Sequence, residues 1–269
     1  MRKYTFGLSA TSLLILTAFV TFFSSSNQAL ALSGSQFKPG NIINNSIFYR
    51  RSSMSSASIQ KFLNSKVPSC DTNGSKMYNS TKTRAQYGKS KGNPAPYICL
   101  KNKVLNRPAK SASEGLCSSI SSKSNQTAAQ IIYTISNACN VDSKVLLVML
   151  QKEQSLITDD WPWSIQYRSA MGYGCPDTAA CDSHYYGFFN QVYNAAKQLR
   201  RYSRDPADFN YRAGRTNYIQ YNPNASCGNK NVYIDNSATA ALYNYTPYVP
   251  NTAALNNLYG SGNSCSAYG

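Results

Sequence analysis

The sequence is poor in the residues that hold metal ions. It contains one histidine, His184, and no two of its eight cysteines are separated by only two residues. Zinc sites use clusters of cysteine and histidine at short spacings, so the composition excludes a zinc site of this kind. A glycine-rich loop that could cradle a phosphate is also missing. We therefore expect neither a metal nor a cofactor.

Long hydrophobic runs are missing after residue 31, where no segment approaches the roughly twenty apolar residues of a membrane-spanning helix. The one apolar stretch, residues 6–23, follows Arg2 and Lys3 and precedes the small-x-small sequence Ala29-Leu30-Ala31. This order is typical of a secretory signal peptide, with a membrane anchor as the alternative. Serine and threonine interrupt the stretch, which favours a signal that is cleaved after Ala31. We expect a mature chain, residues 32–269, that is secreted, has no membrane span and contacts the cell wall.

The eight cysteines form an even set on a chain that we expect to be exported. The environment outside the cell is oxidising, and disulfides persist there. Spacing alone does not determine which cysteines pair. We predict that each cysteine pairs with its neighbour along the chain, which gives Cys70–Cys99, Cys117–Cys139, Cys175–Cys181 and Cys227–Cys265.

Acidic residues are few. Eleven aspartates and glutamates stand against 27 lysines and arginines, a formal net charge of +16. Such a charge attracts polyanions over long distances. For an exported protein the expected partners are cell-wall glycan (peptidoglycan) and anionic wall polymers, and the absence of a nucleic-acid-binding motif predicts no specific nucleic acid. The alternative is that the charge serves solubility alone.

The composition and the apolar periodicity of the chain change at about residue 107. Residues 32–107 are expected to form an irregular, basic N-terminal segment with one helix capped by Ser55 and a long insertion, 66–107, held by a disulfide. Residues 108–269 show regular apolar periodicity. This periodicity predicts helices at 108–119, 127–138, 143–157, 183–202, 237–243 and 251–258, with strands at 218–221, 232–234 and, as a strand or extended segment, 41–49. The predicted fold class is mainly α, an α+β fold with a few short strands and a disulfide-stapled N-terminal elaboration.

Glutamate occurs only twice, as Glu114 and Glu153. At helical spacing, Glu153 shares a face with an apolar stripe made of Leu146, Met149, Leu150, Leu156 and Ile157. An apolar setting raises the pKa of a carboxyl group, which is what a general acid at neutral pH requires. The alternative is a helix-end glutamate that reaches solvent or pairs with Lys152 or Arg168. The scarcity of glutamate and the aromatic, glycine-containing loop that follows favour the catalytic interpretation.

The residues around Glu153 resemble a known superfamily. Val145 to Ser155, followed by Ser169-Ala170-Met171-Gly172-Tyr173-Gly174, is similar to the core of the lysozyme-like superfamily, lytic transglycosylases in particular. In that superfamily a catalytic glutamate ends an apolar helix and precedes a serine, a Gly-Leu-Met-Gln-like loop and a Tyr-Asn pair. Here Gln154 separates Glu153 from the serine, and Tyr221-Asn222 or Tyr243-Asn244 stands for the pair. From Val145 to Tyr248 the chain also resembles uncharacterised secreted proteins of Actinobacteria and Saccharibacteria.

The resemblance implies a lysozyme-like fold and an activity on cell-wall glycan. Glu153 would protonate the glycosidic oxygen between N-acetylmuramic acid and N-acetylglucosamine. No second carboxylate stands out, because turns and helix caps explain the candidates Asp159, Asp160, Asp177 and Asp182. A single acid favours a transglycosylase-like reaction, in which the same glutamate then acts as base, over hydrolysis by two carboxylates.

Twenty-one tyrosines are present, most of them beside asparagine, serine or glycine. A tyrosine ring offers a sugar a flat apolar face, and its hydroxyl can bond the sugar's polar edge. The alternative is that tyrosines fill a core that has few leucines and phenylalanines. The expected substrate-contacting residues, drawn from the tyrosines and from the motif, are Gln154, Tyr167, Met171, Tyr173, Tyr186, Tyr221, Asn222 and Tyr243, with Tyr245 as a further cleft tyrosine.

Together these features predict a secreted, basic protein that cleaves peptidoglycan glycan strands with Glu153 as acid and base. The alternative is a non-catalytic cell-wall-binding or adhesive surface protein with the same fold. The departure at Gln154 and the missing second carboxylate point to this alternative. A toxin or inhibitor delivered to a neighbouring cell is a third hypothesis.

Overall fold

The structure is a computed structural model that describes residues 33–176 and 179–267. The expected signal peptide and Asp177 lie outside the described residues. The helices in the described part are α1 (Asn45–Phe48), α2 (Ser56–Lys66), α3 (Arg84–Ser90), α4 (Ala128–Cys139), α5 (Ser143–Gln154), α6 (Ser164–Arg168), α7 (Phe188–Arg204), α8 (Ser237–Tyr245) and α9 (Thr252–Leu255). The strands are β1 (Val104–Arg107), β2 (Lys123–Thr127), β3 (Arg215–Gln220) and β4 (Asn229–Ile234).

The main core lies between α4, α5, α7 and α8. Helix α4 packs against α2, α5 and α7, and α7 packs against α8. The inward faces have the apolar spacing expected of amphipathic helices. Their fully buried residues include Ile131, Ile132 and Ile135 on α4, Leu146 and Leu150 on α5, and Val192 and Leu199 on α7.

Polar residues set the limits of the two central helices. A capping box starts α4, because the Thr127 side chain accepts from the Gln130 backbone and the Gln130 side chain accepts from Thr127. The Asp142 carboxylate starts α5 by accepting a hydrogen bond from the Lys144 backbone. Helix α5 ends at Ser155, which has a left-handed backbone with φ of 57°. Glu153 is therefore in the last turn of an apolar helix.

Two small antiparallel sheets accompany the helices. In the larger one β3 pairs with β4 in a regular register, with Asn217 opposite Val232 and Tyr218 opposite Asn231. Its inner face, with Ile219, Val232 and Ile234, forms a second small core with Tyr243 and Val249. The two strands predicted here are confirmed, each a few residues longer than expected.

All eight cysteines are paired, and the predicted pairing of neighbours is confirmed. The bridges are Cys70–Cys99, Cys117–Cys139, Cys175–Cys181 and Cys227–Cys265. The α+β class is also confirmed, since helices make up 41% of the structure beside two small sheets. Among the described residues, no helix combines the length and the apolar character needed to cross a bilayer.

Two predicted elements are wrong. Residues 108–119 form a bridged turn instead of a helix, in which Lys110 pairs with Ile120 and Ser113 with Cys117. The turn is closed by Gly115 at a φ of +65° and is held to α4 by the Cys117–Cys139 disulfide. The strand or extended segment expected at 41–49 is also wrong, because Asn45–Phe48 is a short helix whose Phe48 is completely buried.

The structure does not divide at residue 107. Strand β1, just before this position, pairs with β2 beyond it, and α2 packs against α4. The chain from Ser33 onward accordingly forms one compact unit. The basic segment is also less irregular than expected, since α3 lies within it and begins with a capping box of Thr83 and Gln86.

Candidate functional site

An open groove of about 480 Å³ runs along the last two turns of α5. Helix α5 contributes Val148, Met149, Lys152 and Glu153 to its wall, and the N-terminal segment contributes Phe37 and Ile42. The opposite wall comes from α8 and the chain after it, with Tyr243, Tyr245, Tyr248 and Val249. Ala267 also lines the groove. We call this feature the Glu153 groove.

The Glu153 carboxylate lies against the backbone of the loop 169–174. Gly172 in this loop has a φ of +65°, and a Cβ placed on it would lie 2.7 Å from Oε2 of Glu153. Such a separation is shorter than an ordinary van der Waals contact, so a side chain here would displace the Glu153 carboxylate, and the positive φ would add backbone strain. The loop therefore positions the carboxylate by close backbone approach.

Gln191 of α7 holds this loop in place. Its side chain is completely buried, and Oε1 accepts hydrogen bonds from the amides of Met171 and Tyr173, both at 3.1 Å. Its Nε2 donates to the carbonyls of Tyr173 at 2.9 Å and Tyr185 at 2.8 Å. All four hydrogen bonds of the amide are satisfied, so the loop has one defined conformation. Sequence reasoning missed this role, although a glutamine between apolar positions of α7 is the signal that could have indicated it.

Tyr245 is a second support for the loop. Its hydroxyl donates a 2.6 Å hydrogen bond to the carbonyl of Met171, the residue before Gly172. Burial, and next the charge of Glu153, raise the pKa of Tyr245 well above its ordinary value. The hydroxyl is thus a neutral donor throughout the physiological range, held beside the carboxylate.

Lys152 brings a cation to the same groove. Desolvation lowers the pKa of its ammonium group, and the negative charge of the adjacent Glu153 opposes this shift. The groove therefore holds one acidic and one basic side chain against mostly apolar walls.

Three of the predicted substrate-contacting residues, Tyr243, Met171 and Tyr173, line the groove or belong to the loop beside Glu153. Tyr243 lines the groove but is 2% exposed, and its hydroxyl donates to the Pro39 carbonyl at 3.0 Å. Met171 is completely buried, and its carbonyl binds Tyr245. Tyr173 follows Gly172 and packs edge-on against Tyr185, with ring centroids 4.7 Å apart.

The other predicted residues are outside the described wall of the groove. Tyr167 of α6 is buried, and its hydroxyl donates a hydrogen bond to the Ile98 carbonyl at 2.6 Å. Tyr186 lies under the guanidinium of Arg168. Gln154 accepts a hydrogen bond at its backbone carbonyl from Gln166. Tyr221 and Asn222 lie in the turn region between β3 and β4. The Asn222 side chain accepts a hydrogen bond from the Asn224 amide, and the Tyr221 amide donates one to the Gly228 carbonyl.

The described aspartates near α5 serve the structure, as expected. Asp159 accepts hydrogen bonds from the Trp161 amide and the Gln166 side chain. Asp160 forms ion pairs with Lys76 and Arg84, and Asp182 caps the turn that contains His184. Among the described residues that line the groove, Glu153 is therefore the acidic one. The described residues also contain no cluster of histidine, cysteine and acidic side chains that could bind a metal.

No family model, no curated protein and no solved structure matches this chain. Membership of the lysozyme-like superfamily accordingly stays a prediction. Function has to be inferred from the geometry and chemistry of the Glu153 groove and from the distribution of charge.

Proposed function

We propose that the protein cleaves the glycan strands of peptidoglycan, with Glu153 as general acid and then base. The observation that carries the proposal is the setting of Glu153. Its carboxylate lies at the end of an apolar helix, in an open groove, against the backbone of a loop that Gln191 and Tyr245 hold. A glutamate at the end of an apolar helix, followed by a glycine-containing loop, is the pattern on which the predicted resemblance to the lysozyme-like superfamily rests, and it supports the proposal.

A rigid setting suits proton transfer to a leaving group. A general acid must stay within hydrogen-bonding reach of the glycosidic oxygen, and its carboxyl must remain protonated near neutral pH. Most of the side chains that line the groove beside Glu153 are apolar. The Gly172 backbone lies close to the carboxylate because this residue has no side chain.

A single groove carboxylate supports the transglycosylase route. Glu153 gives its proton to the glycosidic oxygen as the bond from that oxygen to the anomeric carbon breaks. A hydroxyl of the same sugar then attacks the anomeric carbon, and the Glu153 carboxylate takes up the proton of that hydroxyl. The enzyme is restored and no water is consumed, so a second carboxylate is not needed to activate water.

The groove walls are suited to sugar rings. Its volume of about 480 Å³ is in the range of about 300–1,000 Å³ that is usual for small-ligand sites. Tyr245 and Tyr248 line it together with apolar side chains, and tyrosine combines a flat apolar ring with a hydroxyl. The expected mature chain lacks Arg2 and Lys3 and has a net charge of +14, which would keep the protein near anionic wall polymers.

The test is digestion of purified peptidoglycan by the disulfide-intact protein, followed by mass spectrometry of the released fragments. Glu153→Gln removes the proton donor, and Glu114→Gln is the matched control, since Glu114 is exposed and is the other glutamate of the chain. We expect fragments from the parent and from Glu114→Gln but none from Glu153→Gln. Fragments one water lighter than hydrolysis products would identify the intramolecular route. Equal release by the parent and Glu153→Gln would falsify the proposal.

The competing proposal is a wall-binding or adhesive protein without catalysis. It is supported by Gln154, which stands where the superfamily pattern has serine, and by the concentration of basic residues in the segment 66–107. This proposal expects the protein to sediment with intact walls while neither the parent nor Glu153→Gln releases fragments. The same digestion experiment therefore separates the two functions.

A further inference from the structure

The segment 66–107, which the Cys70–Cys99 disulfide closes, carries a large part of the positive charge of the chain. It contains nine lysines and arginines and one acidic residue, Asp71, so its net charge of +8 is half that of the chain. Asp71 and Asp160 bind Lys76 and Arg84 in ion pairs. In the described residues, no acidic side chain forms a salt bridge with Lys82, Lys89 or Lys91, which are all exposed. Three cations on and beside α3 are therefore available to an outside anion.

Four aromatic side chains form a contiguous surface beside these lysines, which we call the aromatic patch: Tyr78, Tyr87, Trp161 and Trp163. Tyr78 stacks on Tyr87 with ring centroids 3.7 Å apart and planes 14° apart. Trp163 lies 6.0 Å from Tyr87 and 5.5 Å from Trp161. Tyr78 is 45% exposed, and the other three are partly exposed. Contiguous aromatic rings that stay partly exposed are typical of an interaction surface and are not needed to fill the core.

The patch is built on a rigid base. The Cys70–Cys99 disulfide closes the segment, and Asp71 accepts hydrogen bonds from the amides of Ser75 and Lys76. The amide of Tyr78 donates to the Lys82 carbonyl and fixes the turn that presents its ring to α3. A ligand would meet rings that are already in place, which lowers the entropy lost on binding.

The patch and the Glu153 groove lie at the same end of α5. Gln166 donates to the carbonyl of Gln154, next to Glu153, and accepts from the amide of Trp163. None of the four patch residues is part of the described groove wall. The patch and the groove are thus separate surfaces, linked through Gln166.

From these contacts we infer that the aromatic patch, with Lys82, Lys89 and Lys91, is a second binding site that holds an anionic polysaccharide. Tyr87 is covered by Tyr78 and by Lys91, and Trp161 lies under Arg84, so the sugar rings stack on the remaining exposed faces of Tyr78 and Trp163. The lysines bind the carboxylates or phosphates that the sugar rings carry. A neutral glycan would contact the aromatic rings but would not pair with the lysines. A polyanion without sugar rings would pair with the lysines but would not stack on the aromatic rings. The site operates whether or not Glu153 is catalytic.

Binding measurements with four probes test the site: polygalacturonate, cellohexaose, polyphosphate and a thymidine oligonucleotide. Polygalacturonate combines rings with charges, cellohexaose has rings alone and polyphosphate has charges alone. We expect polygalacturonate to bind more tightly than the other three and to weaken as salt is added. Equal or tighter binding of cellohexaose or polyphosphate would overturn the inference. Tighter binding of the oligonucleotide would assign the patch to single-stranded nucleic acid instead.

Matched variants locate the binding. Tyr78→Ala should weaken polygalacturonate binding about fivefold, the size of one aromatic contact, while Tyr259→Ala, at an 89% exposed tyrosine elsewhere, should not. The triple change Lys82→Gln, Lys89→Gln and Lys91→Gln should weaken it further and reduce the salt dependence. Its control changes three exposed lysines away from the patch, Lys123, Lys144 and Lys230, to glutamine and so gives the same net charge.

Two further results decide the assignment. Glu153→Gln should bind polygalacturonate like the parent, and loss of binding in this variant would place the polymer in the groove and overturn the inference. Equal weakening by the two lysine triples would show attraction by net charge alone and would overturn it as well. If Tyr78→Ala lowers the melting temperature, the lysine triples, which alter exposed side chains, still decide the outcome.

Discussion

Gly172 is the residue on which the position of the Glu153 carboxylate depends most directly. Gly172→Ala should introduce a methyl group 2.7 Å from Oε2 and displace the carboxylate. The left-handed backbone of this residue adds about 1–2 kcal/mol of strain to any alanine there. We expect the variant to fold with reduced stability and to lose glycan cleavage, measured by fragment release and thermal unfolding.

Gly92→Ala is the matched control, because Gly92 also has a left-handed backbone, with a φ of +73°, and has nothing within 4 Å of its Cβ position. Both variants carry the same kind of strain, and only one contacts Glu153. The control should lose a similar free energy of unfolding and keep its activity. Equal activity in the two variants would show that the Glu153–Gly172 contact has no part in catalysis.

Gln191 supports the same loop from the core side. Gln191→Met keeps the approximate volume of the side chain but removes four hydrogen bonds and leaves buried backbone groups unsatisfied. The free energy of unfolding should fall by about 3 kcal/mol. The amides of Met171 and Tyr173 should exchange with deuterium faster, because they donate to Gln191.

The control for this prediction is Asn194→Ala on the same helix. Asn194 is partly exposed, and its side chain donates one hydrogen bond, to the Asn190 carbonyl. Loss of this hydrogen bond should change the free energy of unfolding by less than about 1 kcal/mol and leave deuterium exchange of the Met171 amide unaltered. A similar effect of both variants would mean that Gln191 contributes only to helix α7.

Among the elements, helix α5 depends on its N-cap residue, Asp142, for its stability at low pH. Burial raises the pKa of Asp142, but hydrogen bonds from the Lys144 amide, Ser53 and Arg50 outweigh this and hold the pKa below its ordinary value of 3.8. Because only the folded state favours the ionised form, its stabilising contribution is complete above about pH 3.8. It is lost as the pH falls further, through the lowered pKa of the folded state.

Asp142→Asn tests this dependence. The variant should be less stable than the parent by about 2 kcal/mol at pH 7, and the difference should shrink as the pH is lowered below about 4. Chemical denaturation at several pH values measures it, with Asp235→Asn at an exposed carboxylate as the control. A constant difference between Asp142→Asn and the parent across this pH range would contradict the assignment.

The sequence predicts those helices whose own residues supply both the apolar periodicity and the N-cap. Helices α4, α5 and α7 follow from the apolar spacing and from Thr127 and Asp142, and Glu153 follows as the acid of an apolar helix end. The segment 108–119 was predicted wrongly because its shape comes from Gly115 and from a disulfide to α4. Tyr167, which was expected to contact the substrate, and Tyr248, for which no role was predicted, depend on contacts with distant segments. The Tyr167 hydroxyl is taken by Ile98 from the distant segment 66–107, and Tyr248 enters the groove through a bridge to Gln220.

At the scale of the whole molecule, the four disulfides contribute unequally. A crosslink lowers the entropy of the unfolded chain more when it closes a longer loop. Cys227–Cys265 spans 38 residues and Cys175–Cys181 spans 6. Replacing both cysteines of a bridge by alanine should therefore lower the free energy of unfolding by about 4 kcal/mol for the first bridge and about 2 kcal/mol for the second.

Chemical denaturation of the two double variants, with the other bridges intact, checks this order. The Cys227–Cys265 bridge also ties the β3–β4 region to the chain end that includes Ala267, which lines the groove. Loss of this bridge should therefore reduce glycan cleavage as well. A larger loss of stability from the six-residue bridge would show that native contacts, and not loop length, determine the contribution.

The pairing of neighbouring cysteines has a consequence for biogenesis. The first cysteine pairs with the second, the third with the fourth, and so on to the eighth. In a chain that enters an oxidising compartment from its N-terminus, each cysteine meets its native partner as soon as the next one emerges. Oxidation in order of emergence then yields the native set without reshuffling, so a thiol oxidase alone would be sufficient and a disulfide isomerase would be dispensable.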